Sequence, residues 1–488
     1  MEEGVKVAIL DNGVMDIFYE ELKENIYIDE ENSINNASIY RNKYSSHGTS
    51  CFLILKQFAK SSRISSVEIL NEDGKGSIEK LIPAFEWCVE NDIKIVNLSF
   101  GSIHFKDAEI IQNIINHYAS KGIIIIAASS NSGYTSYPSY FSNVIGVANI
   151  EDSGIKDDMV RVNNVHTGVD FLAVSQHTIY IEDENIILSK SNSYAAPFVT
   201  SQVYNILSHN VNLTLYEVKK TLINQLKKQN EESSLFYCEP NWIENAYIVG
   251  GKLKSKARTY FKLFKNCSYE DVKEKIDTLI IFNENDLNFY LREKKNIVYL
   301  GNDFDLQKCI NEKYIWHKSL KEKKIDEEII IEEDIKIPII IINFSINDDE
   351  LLILQNLKNL FFYESYNLYA ATTNPEGVFY NLEYIPKKYI SNVKERNTIK
   401  SFLYKDTYYK RSDIIILSYY NNEKKLYESK NAIKYDIGAD LVISIEHSNI
   451  YKVIFNDNEN EQITKEYENI GTNEIRDIYL QILDTFKT

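Results

Sequence analysis

From residue 5 to about 228 the sequence alternates short apolar runs with amphipathic stretches of helical period. A run such as Gly122–Ala128 has no polar face, so a strand built from it must be covered on both sides. Val5–Leu10, Ile93–Leu98, Gly122–Ala128 and Val144–Ala148 are expected as strands. Gly48–Lys60, Ile78–Asn91, Ala108–Lys121, Ala195–His209 and Leu213–Gln225 are expected as helices. Strands separated by helices predict a three-layer α/β fold, a parallel sheet between helical layers.

A polar stretch at 229–236 is the expected linker, leaving 1–228 and 237–488 as separate domains. The second part repeats the α/β pattern. Thr278–Phe282, Asn296–Leu300, Lys336–Phe344, Asp413–Ser418 and Asp440–Ile445 read as strands, and Asp348–Phe361 as a helix. Charge-dense Lys318–Asp334 reads as a solvated connection or helix face, and a further boundary could fall near 318–335. Lys336–Asn347 and the helix after it have the strand–loop–helix form of a degenerate P-loop unit. The phosphate-cradling Gly-x-x-x-x-Gly-Lys-Ser/Thr is missing, and the Gly-free loop Asn343–Asp349 ends in acids that repel phosphate.

The totals narrow the function classes. A net charge of −17 argues against a nucleic-acid partner. Cys51, Cys88, Cys238, Cys267 and Cys309 are scattered without a Cys-x-x-Cys pair, which argues against a disulfide framework or zinc site and fits a reducing compartment. Met1-Glu2-Glu3-Gly4 leads directly into an apolar strand, so no signal peptide is expected, and runs such as Ile337–Ile342 are too short to span a bilayer. The expectation is a cytoplasmic protein with no membrane partner, no metal and no cofactor.

Four segments carry candidate chemistry. Asp11 stands where an apolar strand meets a Gly-containing turn, although Asp-Asn-Gly alone is equally an ordinary turn. His47 in Ser46-His-Gly-Thr-Ser50 opens a helix, where a capping role is equally open. Asn131 follows the small residues at the end of Ile123–Ser130, where a side-chain amide could donate to a developing oxyanion or simply terminate the strand. Ser193 precedes Ala195-Ala-Pro197, with the proline suited to the first turn of a helix and the serine near its N-terminus. That segment alone is equally a helix cap.

In the order Asp, His, Asn, Ser, the four resemble the subtilisin family of serine proteases. The matching motifs are Asp11-Asn-Gly13, His47-Gly-Thr49, Ala127-Ala-Ser-Ser-Asn131-Ser-Gly133 and Ser191-Asn-Ser193-Tyr-Ala-Ala-Pro197. The resemblance covers about residues 4–228. It implies a triad of Asp11, His47 and Ser193, with Asn131 as oxyanion donor. It also implies that Gly74, Lys75, Gly76 and Ser77 form an edge strand that pairs with substrate, and that Leu98, Ser99, Phe100 and Gly101 form a second substrate strand and pocket wall. Two departures stand out. Ser191-Asn192 replaces the family's Gly-Thr, where serine could strain a backbone needing positive φ, and Tyr194 replaces its Met.

The ten residues before Asp11 are too few for a folded inhibitory propeptide. The second part weakly resembles P-loop-like accessory proteins of clostridial peptide-maturation clusters. Together these imply an endopeptidase that removes the leader of a ribosomally made precursor peptide, with 237–488 as a non-catalytic recognition domain. A general turnover protease and a peptide-binding pseudoprotease are the alternatives.

Overall fold

A computed structural model describes residues 4–37, 46–59, 63–150, 159–161, 166–226, 239–302, 313–345, 350–420, 437–447, 450–457 and 462–486. The chain divides into two compact units: Met1–Glu244 with Cys309–Tyr314, and Asn245–Lys308 with Ile315–Thr488. The expected linker at 229–236 lies outside the described residues. Residues 239–244 belong to the first unit, where Asn116 Nδ2 donates to the carbonyls of Asn241 (3.0 Å) and Ile243 (3.1 Å).

In the first unit the strands are β1 (Lys6–Asp11), β2 (Asn25–Ile28), β3 (Ile34–Asn36), β4 (Arg63–Glu68), β5 (Ile95–Leu98), β6 (Ile124–Ala128), β7 (Ile145–Asn149), β8 (Met159–Arg161) and β9 (Phe171–Ala173). They form one sheet in the order β3-β2-β4-β1-β5-β6-β7-β9-β8. Its seven inner strands are parallel, and β3 and β8 close the edges antiparallel. A hairpin of β10 (Thr178–Ile181) and β11 (Glu184–Ile187) stands apart from it. The helices are α1 (His47–Phe58), α2 (Leu81–Glu90), α3 (Ala108–Ser120), α4 (Asn192–His209) and α5 (Leu215–Gln225).

Side chains alternate along each strand, so β1 sends Val7 and Ile9 to one face and Ala8 and Leu10 to the other. The first face packs Phe52 and Leu55 of α1 and Ala195, Val199 and Val203 of α4. The second packs Phe85 of α2 with Ile111, Ile115 and Tyr118 of α3. This is the three-layer arrangement the apolar runs predict. Inside it, Lys219 of α5 is buried with its Nζ 2.9 Å from Asp170 Oδ2, and it donates to Ser142 O at 3.0 Å.

The helix carrying the candidate serine begins earlier than its proline suggests. Ser191 is the N-cap and Asn192 the first helical residue, which places Pro197 in the second turn. There the missing N–H leaves Ser193 O without its helical donor, and the buried Cys51 sulfur approaches that oxygen at 3.9 Å.

The second unit holds two sheets. The first is fully parallel, with Lys262–Phe264, Asn245–Val249, Thr278–Ile281, Asn296–Tyr299 and Ile315–His317 in that order. The other runs Glu383–Tyr384, Leu368–Thr372, Ile414–Tyr420, Ile339–Phe344, Leu441–His447, Tyr451–Asp457, Gln462–Tyr467. Its last two strands are antiparallel additions. The charge-dense segment lies between the sheets and is not wholly solvated: helix Lys318–Asp326 buries Leu320, Lys321 and Ile325. The strand–loop–helix reading meets strand Ile339–Phe344 and helix Glu350–Tyr363, with loop residues 346–349 outside the described set. Glu350 is fully buried at that helix start, accepting from Thr372 Oγ1 and from Ser418 Oγ (2.6 Å). Burial raises its pKa above the usual carboxylate range.

Candidate active site

Asp11 is the last residue of β1, at the carboxyl end of a central strand, and only 2% of its surface is exposed. His47 is the first residue of α1, its side chain about one third exposed (32%). The local sequence fixes their separation. Ser46 caps the helix by accepting from Thr49 N (3.0 Å), and its hydroxyl donates to Gly13 O (2.6 Å). Thr49 Oγ1 accepts from Met15 N (2.8 Å), and Asn12 Oδ1 from Gly48 N (2.9 Å). A Cβ at position 48 would collide with the Gly13 carbonyl oxygen, so only glycine permits this approach. Held this way, His47 Nδ1 lies 3.0 and 2.9 Å from the two carboxylate oxygens of Asp11.

Burial opposes the charged form of His47, but Cys51 and the Asp11 carboxylate outweigh it and raise its pKa above the ordinary histidine value. Burial also pushes the Cys51 thiol up, against the opposing pull of His47 beside it. Cys51 Sγ lies 3.9 Å from His47 Nδ1, 3.8 Å from Asp11 Oδ2 and 3.3 Å from Ser99 Oγ. Asp11, His47 and Cys51 form a group whose donor atoms lie within 4.8 Å of one another and could hold a metal ion. Metal binding needs a thiolate, and the raised thiol and the mutual engagement of Asp11 with His47 both oppose it.

Ser193 is half-buried in the first turn of α4. That helix is tied to the sheet by Thr200 Oγ1, which donates to Asn97 Oδ1 on β5 (2.9 Å). The next residue, Tyr194, stacks its ring on His47 with centroids 5.2 Å apart and planes at 25°. Among the described residues no hydrogen bond joins Ser193 Oγ to His47.

Asn131 sits in the exposed turn after β6. Its Oδ1 accepts from Asn192 N (2.9 Å), and its Nδ2 donates to Ser191 Oγ (3.3 Å). Ser193 N donates to the same oxygen, also at 3.3 Å. Asn192, in the place of the family's threonine, is buried. Its Nδ2 donates to Ser129 O (3.1 Å), Ser129 Oγ (3.0 Å) and Ser130 O (3.0 Å), while Oδ1 accepts from Asn149 N (2.8 Å). Ser191 is not strained: at φ −157° and ψ 144° it is extended backbone open to any residue.

The two implied substrate segments behave differently. Gly74–Ser77 is exposed and lies outside any strand among the described residues, and it begins within a turn in which Asn71 N donates to Lys75 O (2.8 Å) and Gly74 takes φ +73°. Leu98 and Ser99 are buried at the end of β5, Phe100 is half-buried, and Gly101 is exposed. A two-way backbone bridge between Ser102 and Tyr137 (2.9 and 2.8 Å) anchors the segment beyond them.

Motif reading singled out Asn192 and the Ser46–Thr49 segment without finding the contacts they make, and it gave Cys51 no place in the site. Cys51 had one signal: it follows His47 by four residues, one helical turn on the same face.

A family model described as the subtilase family matches residues 2–238. This part of the chain is a subtilase domain. It is 24% identical over 209 residues to the thermostable alkaline protease of Halalkalibacterium halodurans, a match covering 40% of this chain and 51% of that protein. It is 33% identical over 91 residues to subtilisin BL of Lederbergia lenta, covering 18% of this chain and 33% of that protein. The chain thus spans about half the length of the first of these relatives and a third of the second. Sphericase, a solved structure, aligns with a TM-score of 0.36 at 18% identity, covering 45% of this chain and 82% of that one. Outside the subtilase domain, residues 239–488 lie beyond the family match.

Proposed function

We propose that the subtilase domain is a serine endopeptidase that cuts peptide bonds through an acyl-enzyme. The observation that carries this reading is the Asp11–His47 pair, held at 2.9–3.0 Å, with Tyr194, the residue after Ser193, stacked on the His47 ring. In this reading Ser193 Oγ attacks the peptide carbonyl carbon as its proton passes to His47 Nε2. Asp11 accepts from Nδ1–H, fixing the tautomer and balancing the imidazolium. Asn131 Nδ2 and Ser193 N face the oxygen that gains charge. Nε2 then returns the proton to the leaving amine as the C–N bond breaks, and water repeats the sequence to release the acyl group. The missing His47–Ser193 bond is the feature that favours the alternative, a domain that binds peptide without cutting it, although such bonds commonly tighten only with substrate.

The preferred substrate is a ribosomally made precursor whose leader is removed. The exposed Gly74–Ser77 segment can pair with an extended chain. The second unit would supply recognition by raising the local concentration of the scissile bond. The free cysteines Cys51, Cys88 and Cys267 support action in a reducing compartment such as the cytoplasm. Among the described residues no helix is long and apolar enough to cross a membrane.

A fluorophosphonate probe tests the chemistry. Labelling of the full chain and not of Ser193→Ala, read by intact mass, is expected. Absence of labelling in a folded wild-type chain would move the assignment to a binding protein. Equal cleavage of unfolded casein and of a leader-bearing precursor would refute the leader reading while leaving the peptidase reading intact.

A further inference from the structure

Ser191 introduces a hydroxyl into the place where a peptidase of this kind must receive an oxyanion. Two N–H donors are available for that oxygen, the Asn131 amide and the Ser193 backbone, and both point at Ser191 Oγ, each at 3.3 Å. An oxygen that receives both donors at once stands where the substrate oxygen has to stand. The hydroxyl is held there from its own side as well, with Oγ 3.4 Å from Asn131 Oδ1 and the backbone extended at the helix cap. Buried Asn192 fixes the turn beneath it, so the three groups cannot drift apart. The contacts at 3.3 Å lie just beyond the usual N–H···O range. A developing oxyanion makes shorter, charge-assisted bonds to the same donors, so it can take them over.

We infer that Ser191 Oγ occupies the oxyanion hole of the resting enzyme and must rotate away before a substrate carbonyl can be activated. The inference rests on the peptidase reading above. It makes Ser191 a selectivity residue. A peptide held along its length spends part of its binding energy on displacing the hydroxyl, while a small or poorly held carbonyl compound meets a filled hole. The fraction of molecules with the hole open scales the apparent reactivity directly. Two weak neutral bonds correspond to about a 3- to 10-fold reduction.

The test compares the full-length wild-type chain with Ser191→Gly and Ser191→Ala. Readouts are the second-order rate of fluorophosphonate labelling and the affinity for a peptidyl boronic acid, whose tetrahedral oxygen takes the hole. Glycine is a competent helix cap, so that variant keeps α4. Both variants are expected to gain about 3- to 10-fold in both readouts, and Ser191→Thr, which retains a hydroxyl, to gain less than either. A wild-type chain that resists labelling while Ser191→Gly reacts would support the inference with a larger factor. Labelling of all forms at one rate, or slower labelling of the glycine and alanine variants, would overturn it while leaving the peptidase assignment standing. Failure of every form to label would overturn both.

Discussion

Asn192→Ala should damage stability and catalysis together, because one side chain holds two parts of the site. Asn192 donates to three oxygens of Ser129 and Ser130 and accepts from Asn149 N, at 2.8–3.1 Å. The residues it grips lead into Asn131, and the residue after it is Ser193. A buried bond contributes about 1 kcal/mol net, and a partner left unsatisfied costs about 1–3 kcal/mol. Truncation should therefore cost about 2–4 kcal/mol, lowering the melting temperature of a domain this size by roughly 4–15 °C. The activity loss follows from geometry. Once Ser129–Ser130 and the α4 cap are uncoupled, the amide of Asn131 and Oγ of Ser193 lose their fixed spacing, and a shift of about 1 Å costs on the order of 10²-fold. Peptide-cleavage kcat/KM, measured well below the variant's melting temperature, separates misplacement from unfolding. Asn192→Thr restores one hydroxyl and should recover part of both losses. A variant within twofold of wild type in kcat/KM and unchanged in melting temperature would refute the idea that this side chain positions the site.

Further outcomes follow from two pairs already described, Asp11–His47 and Asp170–Lys219. The raised His47 pKa means that kcat/KM should climb with pH through a midpoint above the ordinary histidine value of about 6.5. Asp11→Asn should lower that midpoint and reduce kcat by about 10⁴, so a wild-type midpoint at or below 6.5 would count against the pairing. The same shift stabilises the folded domain below the unfolded-state pKa, and that increment disappears as pH rises through the folded-state value. Lys219→Met leaves the Asp170 carboxylate buried without its 2.9 Å cation and should cost about 3–5 kcal/mol in denaturant unfolding. Pairing it with Asp170→Asn should return at least half of that loss, and a single variant within 1 kcal/mol of wild type would show that the ion pair is dispensable.

What could be read in advance followed the range of the interactions. Gly122–Ala128 announces a buried strand because its apolar residues are adjacent, and β6 lies inside it. Asp11 and His47 were legible because each sits at the junction of an apolar segment and a glycine, where both could be placed at a strand end and a helix start. The start of α4 was not. Pro197 looked like an opening turn, while the deciding contact, Ser191 Oγ with Ser193 N, is a side-chain bond that competes with no visible pattern. The contacts of Asn192 and Cys51 were illegible for another reason. Their partners Ser129, Asn149 and Ser99 lie 43–63 and 48 residues away, and only the sheet brings them near. Gly74–Ser77 was expected as an edge strand only through the family resemblance, because its own residues carry no strand pattern. In the folded protein no ladder forms there. Lys321 was hidden within a charged run, and only its position on helix Lys318–Asp326 turns it inward.

The central helix α4 is threaded against β5, β6, β7 and β9, yet it follows all of them in the chain. A ribosome delivers Asp11 and His47 before Ser193, which follows them by well over a hundred residues. On the peptidase reading, a growing chain in which the sheet has begun to assemble holds a base with nothing to deprotonate. On that reading, reactivity waits until α4 packs against strands that all precede it in the chain. Folding and arming are thus ordered in time by the sequence itself.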